Sequence, residues 1–493
     1  MRQLFRAFAV ALLATVVSGL SCNVFRARNS CETNQDCERG TACNAAGRFC
    51  AHGAPIRIGA VLPLSGSGRL RQTGAACRVG LEFASDWLQS RGAAPLGRGI
   101  EWVFADDTGQ QAVSLEQTKR LLDDGVLAIV GSTTSAHVLA TQRLTFERKV
   151  LHVVPFAGAQ GIPAAQGALG ERFLFSLSPT IANGSPLGLV RYLVDENAAG
   201  RGPRCRNTLV FNGDDVTSAD FYCTFAKQFA SHGMCVTRRI VVPFARKGSY
   251  EAEVAELRAH APDCLILGTA PDVAAYVLEE IARQVGPKPP WTLLGNSAVH
   301  SQGLLSALGP QEGPSLAEGM VGADVDFAPD SLPYRELAIS YAQRSQDRGT
   351  DSATVPYFVS PCADIGFLLA LAIEHAGAGA SPESLRDSFL AVAGYQAGDQ
   401  TFSPGQIVAA MALARRRAAI DYQGASSDVE FDVGGTMQSA PSNIWRVEGN
   451  GFNESVRKYT DRDLRSLEQS QQPTPNCAPP PAELCPGSSA QQN

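Results

Sequence analysis

Histidine is scarce in this 493-residue chain: there are seven, none in an HExxH pair and none close to another. A metal centre built on imidazole is therefore not expected, and no resident cofactor is. Charge is sparse as well. Asp and Glu total 48 against 42 Lys and Arg, a net charge of −6, and no basic run reaches five residues. Such a chain lacks the cationic surface that nucleic acid requires. There is no complete GxGxxG and no P-loop; Gly66-Ser67-Gly68 lacks the third glycine and reads as a turn. There is also no GxSxG elbow and no Ser, His and Asp set in a hydrolase pattern, which argues against an enzyme. Beyond residue 22 no apolar run approaches the roughly 20 residues that cross a bilayer, so a soluble body is expected.

The ends of the chain differ from its middle. Arg2 and Arg6 precede an apolar run from Ala7 to Leu20, and small Ser21 precedes Cys22, the layout of an export signal over residues 1–21. The string SGLSC (Ser18 to Cys22) resembles a bacterial lipobox, with Gly19 where Leu is usual. That resemblance implies a lipidated Cys22 and a membrane anchor that does not span. Gly19 and Ser21 would also suit ordinary signal peptidase, the alternative to lipidation, which the Cys at the boundary favours. Of 13 cysteines, setting Cys22 aside leaves an even 12, as expected where thiols are oxidised in pairs. Cys31, Cys37, Cys43 and Cys50 lie in a polar block too small to bury a core, so residues 22–54 are expected to be a module stapled by two disulfides. Three connectivities are open. From residue 463 the chain turns rich in Gln, Pro and Ser and reads as a disordered tail, 463–493, within which Cys477 and Cys485 are expected to pair.

Between these ends strands and helices alternate. IRIGAVLPL (Ile56 to Leu64), EWVFADD (Glu101 to Asp107), LAIVG (Leu127 to Gly131), VLHVVP (Val150 to Pro155) and FLFSLSP (Phe173 to Pro179) are short apolar runs separated by helical spacing. The rhythm restarts with NTLVFN (Asn207 to Asn212), MCVTRRIVV, CLILGT (Cys264 to Thr269) and WTLLG (Trp291 to Gly295). This pattern indicates an α/β protein with two doubly wound parallel-sheet lobes. In such sheets ligands bind beyond the carboxyl ends of the strands, where helix N-termini offer free N–H groups. The rule selects loops 65–73, 133–136, 156–158, 213–216, 269–270 and 296–297 as the rims of a cleft.

IGAVLPLSG (Ile58 to Gly66), IVGSTTS (Ile129 to Ser135), VLHVVPFAGA (Val150 to Ala159) and FNGDD (Phe211 to Asp215) occur in this order. AEGMVG (Ala317 to Gly322), ADIGFLLALAIEHAG (Ala363 to Gly377) and YQGASSDVEFDVGG (Tyr422 to Gly435) follow. Together these segments resemble the type I periplasmic binding proteins, in the branch of leucine/isoleucine/valine- and amide-binding receptors of ABC transporters. The resemblance implies two lobes joined by a hinge, with 55–178 and 320–427 as lobe 1 and 179–319 and 428–462 as lobe 2. It places crossings near Ser178, Gly319 and Asp428.

Ser135, between a strand and a helix, reads either as a helix N-cap or, by resemblance, as the serine that holds a ligand carboxylate. Thr134 belongs to the same loop. Ala157 matches a position where the family uses a backbone carbonyl; Gly158 stands for the family's Thr and Thr73 for a Tyr. In lobe 2, Val216 replaces a Tyr, and Ser297 stands where amino-acid receptors place the acid that receives an ammonium. Asp214 and Asp215 are candidate replacements for that acid, or solvated loop carboxylates. Thr269 completes the set. His137 reads as a surface residue of a first helical turn, and Asp364 as a helix-start complement to the dipole. Cys223–Cys235 and Cys205–Cys235 are rival disulfides, with Cys77, Cys264 and Cys362 unassigned. The resulting expectation is an exported, lipid-anchored protein of the cell envelope that captures a small polar or amino-acid-like molecule for a membrane ABC permease. The alternative is a sensor or scaffold lipoprotein that uses the same fold to bind a protein.

Overall fold

The computed structural model describes residues 42–44, 49–51 and 53–469 together with Cys477 and Cys485, apart from 66–67, 165, 168–169, 182–183, 215, 244–247, 310–314, 327–329, 348–354, 357, 395–399 and 439. The export signal, Cys22, Cys31, Cys37, Asp215 and most of the carboxyl tail lie outside the described residues. β1 (Ala42–Asn44) and β2 (Phe49–Ala51) pair antiparallel, in a register that sets Cys43 opposite Cys50.

The first lobe begins with β3 (Ile56–Leu62), α1 (Gly68–Ser90), β4 (Ile100–Asp106), α2 (Gln111–Asp123), β5 (Ala128–Gly131), α3 (Ser135–Glu147), β6 (Leu151–Val154), the short α4 (Gly161–Ala164) and β7 (Leu174–Pro179). The chain then crosses to the second lobe: α5 (Ser185–Ala198), β8 (Thr208–Gly213), α6 (Val216–Ser231), β9 (Val236–Val242), α7 (Glu251–His260), β10 (Cys264–Gly268), α8 (Pro271–Gln284), β11 (Thr292–Gly295), α9 (Gln302–Leu308) and β12 (Val321–Val325). It returns through α10 (Leu332–Asp347), α11 (Val359–Ala376), α12 (Pro382–Val392), β13 (Gln400–Phe402), α13 (Ile407–Ala414), β14 (Ile420–Tyr422) and β15 (Thr436–Met437). A last crossing leads to β16 (Ser442–Glu448), β17 (Gly451–Tyr459) and α14 (Asp461–Gln469).

The lobe 1 sheet has the order β15-β7-β6-β5-β3-β4 and is parallel throughout. Its strands β5, β6 and β7 are short and almost wholly buried, as helices on both faces require, whereas the edge strand β4 is largely half-buried. The lobe 2 sheet, β17-β16-β12-β11-β10-β8-β9, is parallel except for an antiparallel edge made by β16 and β17. Two expected crossings shift. β12 pairs with β11 and β16 and so belongs to lobe 2, which moves the second crossing from Gly319 to beyond Val325. β15 pairs with β7, which moves the third from Asp428 to beyond Met437. Indole packing fixes the first of these shifts: Trp445 of β16 lies fully buried over Gly295 and Gly322, where any Cβ would collide with its ring. Beyond the expected boundary at 462, Asp463 starts no disordered tail. It lies in α14, whose Leu464 and Leu467 are fully buried.

α11 corrects another expectation. Its 18 residues have a mean hydropathy of 1.3, long and apolar enough to cross a membrane by composition. In this fold it is the central core helix, 94% buried. It packs along α1, where Gly80 admits the backbone of Val359 and Gly366 admits Ala84. Asp364 stands not at its start but six residues in, fully buried, accepting from Tyr422 Oη (2.8 Å), the N–H groups of Ala425 and Ser426 (2.8 Å each) and Ser426 Oγ (2.7 Å).

Four disulfides are described, and they overturn the expected pairings. Cys77–Cys362 joins α1 to α11, and Cys205–Cys264 joins the approach to β8 with the first residue of β10. Cys223–Cys485 and Cys235–Cys477 tie the carboxyl tail to lobe 2, so the two tail cysteines do not pair with each other. Cys223–Cys235 does not form, because Cys223 is bonded to Cys485 and Cys235 to Cys477. Cys205–Cys235 gives way because β8 lies between β9 and β10, and Cys205 turns to the β10 side.

Candidate ligand cleft

The loops selected from sequence do gather at the carboxyl ends of the two sheets, and the lobes meet there. The N–H of Gln160, beyond β6, donates to Asp220 Oδ2 on α6 at 2.8 Å, a bond from lobe 1 to lobe 2.

On lobe 1 the loop after β5 is held by side-chain hydrogen bonds. Thr134, not Ser135, is the N-cap of α3, and its side chain makes no capping bond. Ser135 is the first helical residue. Its Oγ accepts from the N–H of Ala159 at 3.2 Å, which ties the loops after β5 and β6 together and leaves the hydroxyl proton to donate. Behind them lies a buried set. Asp107 Oδ2 accepts from Ser132 Oγ at 2.5 Å and stands 3.3 Å from His137 Nδ1, while Asp107 Oδ1 accepts from the N–H of Gly109 at 2.9 Å. His137 is thus buried, 6% exposed, against the surface placement expected. Its burial follows from facing Asp107 rather than solvent. This is a Ser, His and Asp set that no sequence motif announced. A nucleophilic triad divides the two ring nitrogens between serine and carboxylate. Here both partners stand at Nδ1, and the serine proton goes to Asp107, so the set buttresses the loop.

Three threonines on the rims have buried hydroxyls with no hydrogen-bond partner among the described residues: Thr133 and Thr134 on lobe 1, and Thr269 on lobe 2. Thr133 is 7% exposed and Thr269 0%. Each such group costs about 1–3 kcal/mol while unsatisfied. Thr133 was missed among the individual candidates, although the selected loop contained it; the signal was its position one residue before a strand-to-helix cap.

The other candidates fall as follows. The Ala157 carbonyl accepts from Ser176 Oγ at 3.1 Å, and the Gly158 carbonyl accepts from the N–H of Ile181 at 2.7 Å. A Cβ at Gly158 would press on Pro179 O at 2.9 Å, which explains why no larger residue stands there. Thr73 is buried in the second turn of α1 and already engaged. Asp214 is exposed just past β8, and Ser297 is half-buried past β11. In the same loop as Ser297, His300 holds Asp324 through Nδ1 and Glu454 Oε1 through Nε2 at 2.8 Å, and stacks on Trp445 with ring centroids 4.8 Å apart. Burial opposes its charge, but the two carboxylates outweigh that and push its pKa up to about 9. A separate cavity of about 470 Å³, lined by Ile56, Val126, Leu151 and Leu385 among others, opens at the amino ends of the lobe 1 strands, away from these loops.

Residues 55–418 match the model of a family described as periplasmic binding protein. The chain belongs to that family. In overall fold this binding protein is similar to a leucine binding protein, LivK, from Thermotoga maritima (TM-score 0.61, 17% identity), covering 83% of this chain and 99% of that one. It is similar too to a solute binding protein of an ABC transporter from Rhodopseudomonas palustris BisB5, solved in complex with 3,4-dihydroxybenzoic acid (TM-score 0.59, 17% identity), covering 83% and 98%. Among curated proteins it resembles the Leu/Ile/Val-binding protein BraC3 of Rhizobium johnstonii, 29% identical over 106 residues, 22% of this chain. That match spans 28% of the relative's length. The expected family and two-lobed α/β architecture therefore stand.

Proposed function

We propose that this binding protein is exported, is anchored to the envelope through a lipid on Cys22, and captures a small carboxylate-bearing molecule between its lobes for delivery to an ABC-type permease. One observation carries the reading: buried hydroxyls without partners among the described residues lie on both rims, Thr133 and Thr134 on one lobe and Thr269 on the other. A guest that reaches both rims satisfies both, and a ligand that contacts two lobes at once favours the closed population. Thr134 and Ser135 at the start of α3 form the anion end, where backbone N–H groups and the helix dipole favour a carboxylate. Thr269, Ser297 and Asp214 supply the lobe 2 side, with the backbone of Ala157 and Gly158 and the side chain of Thr73 lining lobe 1. The fold relatives named above, a leucine binding protein and one solved with 3,4-dihydroxybenzoic acid, support a carboxylate guest.

Thermal shift of the purified chain against amino acids, amides, peptides, sugars and organic acids, paired with small-angle scattering, tests this. A ligand at 100 times its Kd adds about 2.7 kcal/mol, contracts the molecule, and binds more weakly to Ser135→Ala. A chain whose stability and dimensions ignored the whole panel would refute the reading.

A further inference from the structure

The base of lobe 1, opposite the cleft loops, holds the cavity of about 470 Å³, a volume within the roughly 300–1,000 Å³ of small-molecule sites. Its floor is apolar, and the topology makes it so. In a parallel sheet every strand begins on the same side, so Ile56 of β3 and Leu151 of β6 arrive together there, 5% and 1% exposed. Val126 ahead of β5, Ile373 in the last turn of α11 and Leu385 of α12 line the same cavity, each more than nine-tenths buried. The remaining wall is cationic. Arg57, Arg98 and Lys149 line the cavity, and no carboxylate does among the described residues. Arg57 and Lys149 are exposed, so their charges mark the mouth while their stems lie along the apolar wall. Arg417 adds a fourth cation, because its Nη2 donates to the carbonyl of Ala376, itself a lining residue, at 3.4 Å.

These cations differ in what they hold. Lys149 Nζ bonds to Glu383 Oε1 at 2.7 Å, and Arg57 Nε stands 4.0 Å from Glu101. Exposed pairs of this kind are weak. Arg98 instead donates to the carbonyls of Ala54 at 2.6 Å and Pro55 at 3.5 Å. Neither Arg98 nor Arg417 has a carboxylate partner among the described residues.

We propose that this cavity is a second binding site, separate from the cleft, for an amphiphile with one alkyl chain and an anionic head. The alkyl chain lies on the apolar floor. The carboxylate or phosphate stays at the mouth with Arg98 and Arg417, whose planar forks suit either group. Burying that head with its chain would strip a charge of water at high cost. The cationic rim rejects an amphiphile whose head is an ammonium. Pro55, into which residues 22–54 lead, is part of the same wall, so the face that holds the cavity is also the one nearest in chain to the amino terminus. Nothing in this inference requires the cleft to bind.

Calorimetric titration of the full chain with decanoate, 1-decanol and decyltrimethylammonium, each below its aggregation limit, tests it. Decanoate is expected to bind at least tenfold more tightly than 1-decanol, and the cation to give no binding heat. Leu127, 39% exposed on the cavity wall, accepts a charge without disturbing the core. Leu127→Glu should therefore weaken decanoate at least tenfold, leave 1-decanol within threefold and keep the parent melting temperature. Arg98→Gln should weaken decanoate about fivefold, and Ser135→Ala in the cleft should leave it within twofold. Sedimentation of the Cys22→Ser chain with vesicles separates the two sources of such an amphiphile. Retention by phosphatidylglycerol but not phosphatidylcholine, lost in Leu127→Glu, assigns it to the bilayer; decanoate binding without retention assigns it to a free acid. If neither effect is seen, the proposal is overturned. It is overturned too if 1-decanol or the cation binds as tightly as decanoate, or if decanoate is weakened by Ser135→Ala and not by Leu127→Glu, which would place it in the cleft.

Discussion

His300 joins the cleft loop after β11 to the far edge of its sheet. Its imidazole, sandwiched between Asp324 and Glu454, keeps its proton up to about pH 9. The sign follows from linkage: a histidine whose pKa is raised on folding adds stability in full below its unfolded value near 6.5, and that contribution fades as pH climbs through 9. The urea midpoint of the chain is expected to fall between pH 6.5 and 9 for this reason. His300→Gln, which cannot hold charge, should cost roughly 2 kcal/mol at pH 6 and flatten that slope; an unchanged slope in the variant would remove His300 as its cause. Nothing local in GNSAVHSQG foretold this, since both carboxylates arrive from strands 24 and 154 residues away. Asp364 shows the same limit. Its sequence position suggested a dipole complement, yet burial pushes its carboxyl above the ordinary range, and its four donors come from residues 422–426.

Elements were easier to read than partners. Parallel strands buried on both faces write continuous apolar runs, so β3, β5, β6, β8, β10 and β11 were visible in the chain together with the loops that follow them. β12 and β15 were not among the strands read from the pattern, and which sheet each joins depends on pairing rather than on pattern. The contact between lobes was illegible for the same reason: α6 meets lobe 1 through a bond from the N–H of Gln160 to Asp220 Oδ2 and through packing against α3. A bond to a charged acceptor contributes about 1.5–3 kcal/mol, enough to shift an open–closed equilibrium tenfold or more. Asp220→Ala is therefore expected to enlarge the radius of gyration of the unliganded chain and to weaken ligand binding while leaving the melting of each lobe nearly unchanged. Equal dimensions for variant and parent would show that closure does not depend on this bond.

The eight cysteines of the four described bonds are paired, as expected, but with other partners than expected, and the reason bears on how the lobes move. Local spacing favours near partners, whereas three of the four described bonds span 242 to 285 residues. Each joins parts that the crossings had already brought into one lobe: Cys77–Cys362 in lobe 1, and Cys205–Cys264, Cys223–Cys485 and Cys235–Cys477 in lobe 2. None of them bridges the crossings at 179–185, 325–332 and 437–442, where a hinge must turn. Oxidation therefore stiffens each shell without locking it to the other. Two of the bonds also strap the tail across α6 and the approach to β9, the outer edge of lobe 2. Replacing Cys223 and Cys485 together by serine is expected to lower stability by about 2–4 kcal/mol, with lobe 2 melting earlier than lobe 1. Ligand-driven contraction in small-angle scattering should persist in that variant at temperatures where it remains folded. Non-reducing peptide mapping should recover the four pairs named here; a Cys477–Cys485 peptide, or contraction lost while both lobes remain folded, would mean that the strap takes part in closure.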